Sequence, residues 1–94
     1  MEHINERDAD ATAILTTESV ASHYGIPVLR IEIEAAGMIE DYGPADLVQL
    51  PDWPQAVPAA YIVAGWAMRT DRSADERDAA RRYCAQWPDG PQVV

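Results

Sequence analysis

The sequence contains no phenylalanine and no lysine, and Cys84 is its one cysteine. With a single thiol no disulfide can form within the chain, and a lone thiol fits a reducing compartment better than an oxidising one. Without lysine there is no phosphate-binding loop of the usual kind, and the five glycines are scattered in any case. His3 and His23 are the only histidines, and nothing near them has the spacing of a zinc site. No serine sits in a Gly-x-Ser-x-Gly context, and Cys84 has no His or Asn partner within a recognisable motif. These absences argue against an enzyme, and no cofactor or metal is expected. The longest apolar stretch, residues 56–68, is 13 residues long and interrupted by Pro58, too short to span a bilayer. Residues 1–6 are polar and acidic, unlike a secretory leader, so a soluble protein located in the cytoplasm and not bound to membrane is expected.

What is present is a chain of 94 residues, 48% of them hydrophobic, with a net charge of −9. That length suits one domain over residues 1–94, and the apolar content excludes a disordered acidic tail. The core must come from Ile, Leu, Val and Ala with Trp53, Trp66, Trp87, Tyr24, Tyr61 and Tyr83. The charge is unevenly placed. Residues 1–52 hold eleven carboxylates against Arg7 and Arg30, leaving −9, whereas residues 53–94 carry five charges of each sign and are neutral. An acidic half repels phosphate, so direct nucleic-acid binding is not expected, while a protein partner with a basic surface is.

Local patterns give the expected elements. Residues 1–12 read as a loose N-terminal arm. Thr16 and Thr17 before Glu18, with Gly25 at the end, mark a short first helix. From Val28 to Glu34 the sequence alternates, so Leu29, Ile31 and Ile33 are expected to face a core and Arg30, Glu32 and Glu34 to face water on a β-strand. A weaker second strand is expected at 39–42. A proline-rich connector follows, with one short turn at Pro44, and residues 59–69 read as a buried helix. Ser73 and Glu76 form a capping box for a last helix that would turn Ala80, Tyr83 and Trp87 inward. The expected class is α+β: a helix-rich domain with one or two short antiparallel strands and two C-terminal helices packed antiparallel over them. The alternative is all-α, with residues 27–39 forming a second helix.

That alternative has a specific basis. The segment Leu15 to Ile26 resembles the first half of the helix-turn-helix in excisionase and MerR-type regulators, and Ala21, Gly25 and Ile31 match its tight packing positions. The resemblance covers less than a quarter of the chain and implies a DNA-binding origin. The sequence departs from it where a recognition helix would read bases, since Glu32 and Glu34 stand where Arg or Lys is usual.

The residues singled out for partner contact are Glu32, Glu34, Glu40, Asp41, Asp46 and Trp53. The five acids would cluster on one face. Trp53, stiffened by Pro51 and Pro54, would be the apolar anchor, the other reading being a lid over the small core. The function expected from composition is a small non-enzymatic inhibitor that docks an acidic surface on a basic site of a nucleic-acid-handling complex. Phage and mobile-element anti-defence proteins such as anti-CRISPRs share this small, acidic, motif-free character. An assembly adaptor and a diverged helix-turn-helix regulator are the alternatives, and the oligomeric state is left open.

Overall fold

The computed structural model describes residues 16–68 and 72–93, so the expected arm over residues 1–12 lies outside the described residues. The order is α1 (Thr17–Tyr24), α2 (Val28–Asp41), β1 (Leu47–Val48), β2 (Val57–Pro58), α3 (Ala59–Ala67) and α4 (Ala74–Ala85). β1 and β2 pair antiparallel, with Leu47 opposite Pro58 and Val48 opposite Val57. The fold is α+β, as the sequence indicates: 57% of the described residues are helical and 5% are in strands. None of the helices among the described residues is long and apolar enough to cross a membrane.

α3 is the hub, packing on α1, α2 and α4. Ala59, Ala60, Ile62, Val63, Ala64, Gly65, Trp66 and Ala67 are all buried, which suits an element whose sequence is apolar on every side. Its small residues let neighbours come close. A Cβ on Gly65 would stand 2.9 Å from Val20 Cγ2, and the Thr17 hydroxyl donates to the Gly65 carbonyl at 2.8 Å. Pro58 cannot cap α3 with its side chain. Instead the Ala59 and Ala60 N–H groups donate to the carbonyls of Asp46 and Pro44, both at 2.9 Å, so the proline-rich connector wraps the helix start. The turn at Pro44 is closed by Gly43 N–H donating to Asp46 Oδ2 at 2.7 Å.

The two outer helices with clear end signals form where the sequence places them. Thr16 caps α1 through a reciprocal box with Ser19, and Gly25 ends it at φ 73°, in the left-handed region that glycine adopts without strain. Ser73 Oγ accepts from Glu76 N–H at 3.1 Å, and Glu76 Oε1 accepts from Ser73 N–H at 2.9 Å. Ala80 and Tyr83 are buried, while Trp87, just past the helix, is half-buried. An edge-to-face series Tyr24–Tyr61–Trp87, with centroids 6.3 and 6.1 Å apart, ties α1, α3 and the C-terminal segment together.

Residues 28–42 depart from expectation. The strand expected at 28–34 and the weaker one at 39–42 do not exist; residues 28–41 form one helix of 14 residues, and the strands lie in the connector instead. Alternation over seven residues also contains a helical pattern. Ile31, Ala35 and Met38, at i, i+4 and i+7, are the buried face of α2. The run Ala35-Ala36-Gly37-Met38 continues it well beyond strand length, and Arg30 Nε donates to Glu34 at 3.1 Å in an i, i+4 pair. Of the three side chains expected inside, Ile31 is fully buried, but Leu29 is 69% and Ile33 63% exposed.

Candidate functional site

At about 100° per residue, the buried line Ile31–Ala35–Met38 has a counterpart on the far side of α2. Leu29, Ile33, Ala36, Gly37 and Glu40 fall on that outward side, and all five are exposed. α2 therefore has apolar side chains on both faces, and only one is covered. Exposed large hydrophobic side chains are few among the described residues: Leu29, Ile33, Tyr42 and Leu47. Two of them sit one turn apart on this helix. A Cβ added at Gly37 would meet nothing within 4 Å, so the helix surface there is open to solvent.

α1 and α2 pack on each other across the three-residue turn Gly25-Ile26-Pro27. Of the three positions singled out by sequence, Ala21 packs against the core, Gly25 ends α1 in the left-handed region, and Ile31 is fully buried. α1 and α2 are thus consecutive helices joined by a tight turn. The outward side of α2 carries leucine, isoleucine and acid.

The acids named for partner contact separate into two groups. Glu32 pairs with Arg72 at 3.3 Å, and Arg72 lies over the Trp66 ring, 5.5 Å from its centroid. This contact fastens α2 to the start of α4. Glu34 and Asp52 both hold Arg30, which locks α2 to the connector; the Arg30 guanidinium keeps the Asp52 carboxyl below its usual range. Asp46 closes the turn at Gly43. Only Glu40 and Asp41, exposed at the end of α2, remain as acids that point to solvent without one of these structural tasks. Of the five acids, Glu32 and Glu34 are half-buried and Glu40, Asp41 and Asp46 are exposed.

Trp53 corrects the expectation of an exposed anchor. It is 5% exposed and belongs to the core. Trp53 N–H donates to the Leu50 carbonyl at 3.0 Å, Gln49 Nε2 donates to the Trp53 carbonyl at 2.8 Å, and Pro54 lies against Gly25. Together with the Arg30–Asp52 pair, these contacts fold the loop inward and drive the ring into the interior. Its buried indole N–H finds no acceptor among the described residues.

Two groups with chemistry in principle are locked away. Cys84 is buried, its thiol reaches the Ala60 carbonyl at 3.7 Å, and burial pushes its pKa up to about 11, opposite to what a nucleophile needs. Tyr83 donates its hydroxyl to the Tyr42 carbonyl at 2.8 Å, and burial raises its pKa to about 12. Among the described residues no group of three His, Cys, Asp or Glu is placed to hold a metal ion.

The outward apolar side of α2 is the feature that sequence reasoning missed. The Ala21–Gly25–Ile31 spacing together with Ile31–Ala35–Met38 could have found it, because both phase α2 and leave Leu29 and Ile33 on the far side. No family model matches this chain, and no curated protein and no solved structure matches it either.

Proposed function

We propose that this chain is a small non-enzymatic protein-binding domain in which the second helix of a helix–turn–helix contacts protein rather than nucleic acid. The observation that supports this reading is the outward side of α2, where Leu29 and Ile33 are exposed one turn apart. Contacts at i and i+4 are how a helix anchors in an apolar groove. Nucleic acid would instead demand cations, and the one cation on α2, Arg30, is held by Glu34 and Asp52. The test is site-specific photo-crosslinking in cells. A photoreactive residue replacing Ala36, on the outward side of α2, is expected to give protein adducts, and one replacing Gln86, beyond α4, far fewer. Equal adducts at both positions, or binding to duplex DNA at low salt that Leu29→Ala and Ile33→Ala abolish, would overturn the reading.

A second reading draws on the charge asymmetry: an inhibitor that lays its acidic half on a basic site of a nucleic-acid-handling complex. Its support is the −9 carried by residues 1–52 together with the exposed Glu40 and Asp41. Such binding would weaken steeply as salt rises, because screening removes the steering that like and unlike charges supply.

A further inference from the structure

The outward side of α2 is complementary to itself, and we infer that it pairs antiparallel with the same helix of a second copy of this chain. This rests on the protein-binding reading above and names the partner. Along the stripe the first half is large and apolar, Leu29 and Ile33, and the second half runs from the small Ala36 and Gly37 to the acid Glu40, which the pairing sets against Leu29 at the rim. A two-fold axis across the middle of the helix lays Ile33 of each copy over the Ala36–Gly37 gap of the other, where a Cβ at Gly37 meets only open space. Such an interface is isologous and closes at two copies.

The charge pattern along α2 has the same sense. α2 has no side-chain cap at Pro27 and no acid in its first turn, while Glu40 and Asp41 occupy its last turn. Within one copy this is the wrong way round for the helix dipole, which favours acids at the start of a helix and disfavours them at its end. Antiparallel pairing brings the Glu40–Asp41 end of each helix beside the uncapped start of the other. It thereby reverses the mismatch at both ends of the interface. A glycine in the interior of an exposed helix costs stability relative to alanine; here its absent side chain leaves the space that the facing Ile33 fills. Occupying the second helix in this way also removes it from any groove of a nucleic acid.

Sedimentation equilibrium of the full chain tests this. The mass is expected to rise with concentration from 10.4 kDa towards twice that value. Because each copy carries −9, association should strengthen as salt screens the repulsion, opposite in sign to docking on a basic partner. Gly37→Gln puts a good helix former into open space, so the folded monomer should melt no lower than the parent. It fills the gap that Ile33 needs, and the dissociation constant should rise at least about tenfold, which corresponds to about 1.4 kcal/mol. Arg81→Gln on α4 serves as the control and should leave association unchanged. A spin label on Ala36→Cys, near the axis, should show a shorter distance between copies than one on Asp41→Cys. A chain that stays at its monomer mass up to about 1 mM, or a Gly37→Gln variant that associates as the parent does, would overturn the inference. If the chain is monomeric but α2 still gives adducts with another protein, the second copy is excluded and the protein-binding reading stands.

Discussion

α2 and α4 are helices of 14 and 12 residues that meet water in opposite ways. On α4 the exposed side is a web of charges: Asp78 holds Arg81 at 3.2 Å and also pairs with Arg82, and Glu76 lies 3.8 Å from Arg72. Its first turn is acidic, its last turn carries Arg82, and a capping box closes its start. Every one of these choices favours a solvated helix standing on its own ends. α2 has no side-chain cap and no acid in its first turn, its last turn ends on Glu40 and Asp41, and Leu29 and Ile33 face outward. Its charges near the middle are spent on neighbours, Glu32 on Arg72 and Arg30 on Asp52. The difference teaches that α4 is complete as a surface helix, whereas α2 is held from its sides by the fold and is left with a face for something else.

The largest effect that can sharpen this contrast lies within α2. Ile31→Ala should cost about 2–5 kcal/mol in chemical denaturation, because Ile31 is fully buried. Ile33→Ala, two residues on and of the same type, should stay within about 0.5 kcal/mol in the monomer. Equal losses at the two positions would mean that Ile31 does not face the core alone and that α2 is phased differently.

On α4, Ser73→Ala removes the acceptor for Glu76 N–H and should cost about 0.5–2 kcal/mol. α2 offers no corresponding side chain to lose, so its stability should depend on packing and lateral pairs alone. A negligible change at Ser73 would erase the asserted asymmetry between the two helix starts.

Tyr83 joins the helices, since it projects from α4 to the carbonyl of Tyr42 just past α2. Tyr83→Phe should cost about 0.5–1.5 kcal/mol. Burial raises the Tyr83 pKa from 10.0 to about 12 and that of Cys84 from 9.0 to about 11. In the unfolded chain these groups ionise at their ordinary values, so the native state binds more protons between about pH 9 and pH 12 and loses stability as pH rises through that window. Thermal melts from pH 8 to 12 should show the decline, with its upper part reduced in Tyr83→Phe. A flat profile would contradict the burial of both groups.

The smallest effect concerns the Arg30–Asp52 clamp that holds α2 to the connector. Arg30 lowers the Asp52 pKa below its model-compound value of 3.8, so the contribution is present above that value and fades as pH falls through the folded-state pKa. Asp52 is exposed and Arg30 only half-buried, so added salt should weaken the clamp. Asp52→Asn should therefore remove a small, salt-sensitive part of the acid dependence. An acid profile unchanged by Asp52→Asn would assign it to other carboxylates.

Both ends of α1 and the start of α4 were legible because their signals are local, whereas α4 stops at Ala85, short of the Trp87 that the sequence places on its inward face. Thr16 and Ser19, Gly25, and Ser73 and Glu76 satisfy backbone groups within three or four residues, whatever the rest of the chain does. The apolar run at 59–67 was legible for a different reason: it has no polar side to expose. Residues 28–34 were not, because Leu29, Ile31 and Ile33 satisfy a period of two as well as Ile31, Ala35 and Met38 satisfy a helix. Choosing between those readings requires knowing that an outward Leu and Ile are tolerated.

The acids and Trp53 show the same limit on the candidate site. Sequence alone determined that residues 1–52 are strongly acidic, that no thiol pair, phosphate loop or zinc motif exists, where two helices begin and where the first of them ends, because composition and short-range capping do not depend on the partners of a side chain. Only the tertiary structure decided that Glu32 is spent on Arg72, that Asp52 and Glu34 share Arg30, that Trp53 is inside, and that Leu29 and Ile33 are outside. The physical reason is range. A side chain's burial and its ion-pair partner are set by residues as far as 40 positions along the chain, as with Glu32 and Arg72, and no local pattern in the sequence records which of them will arrive.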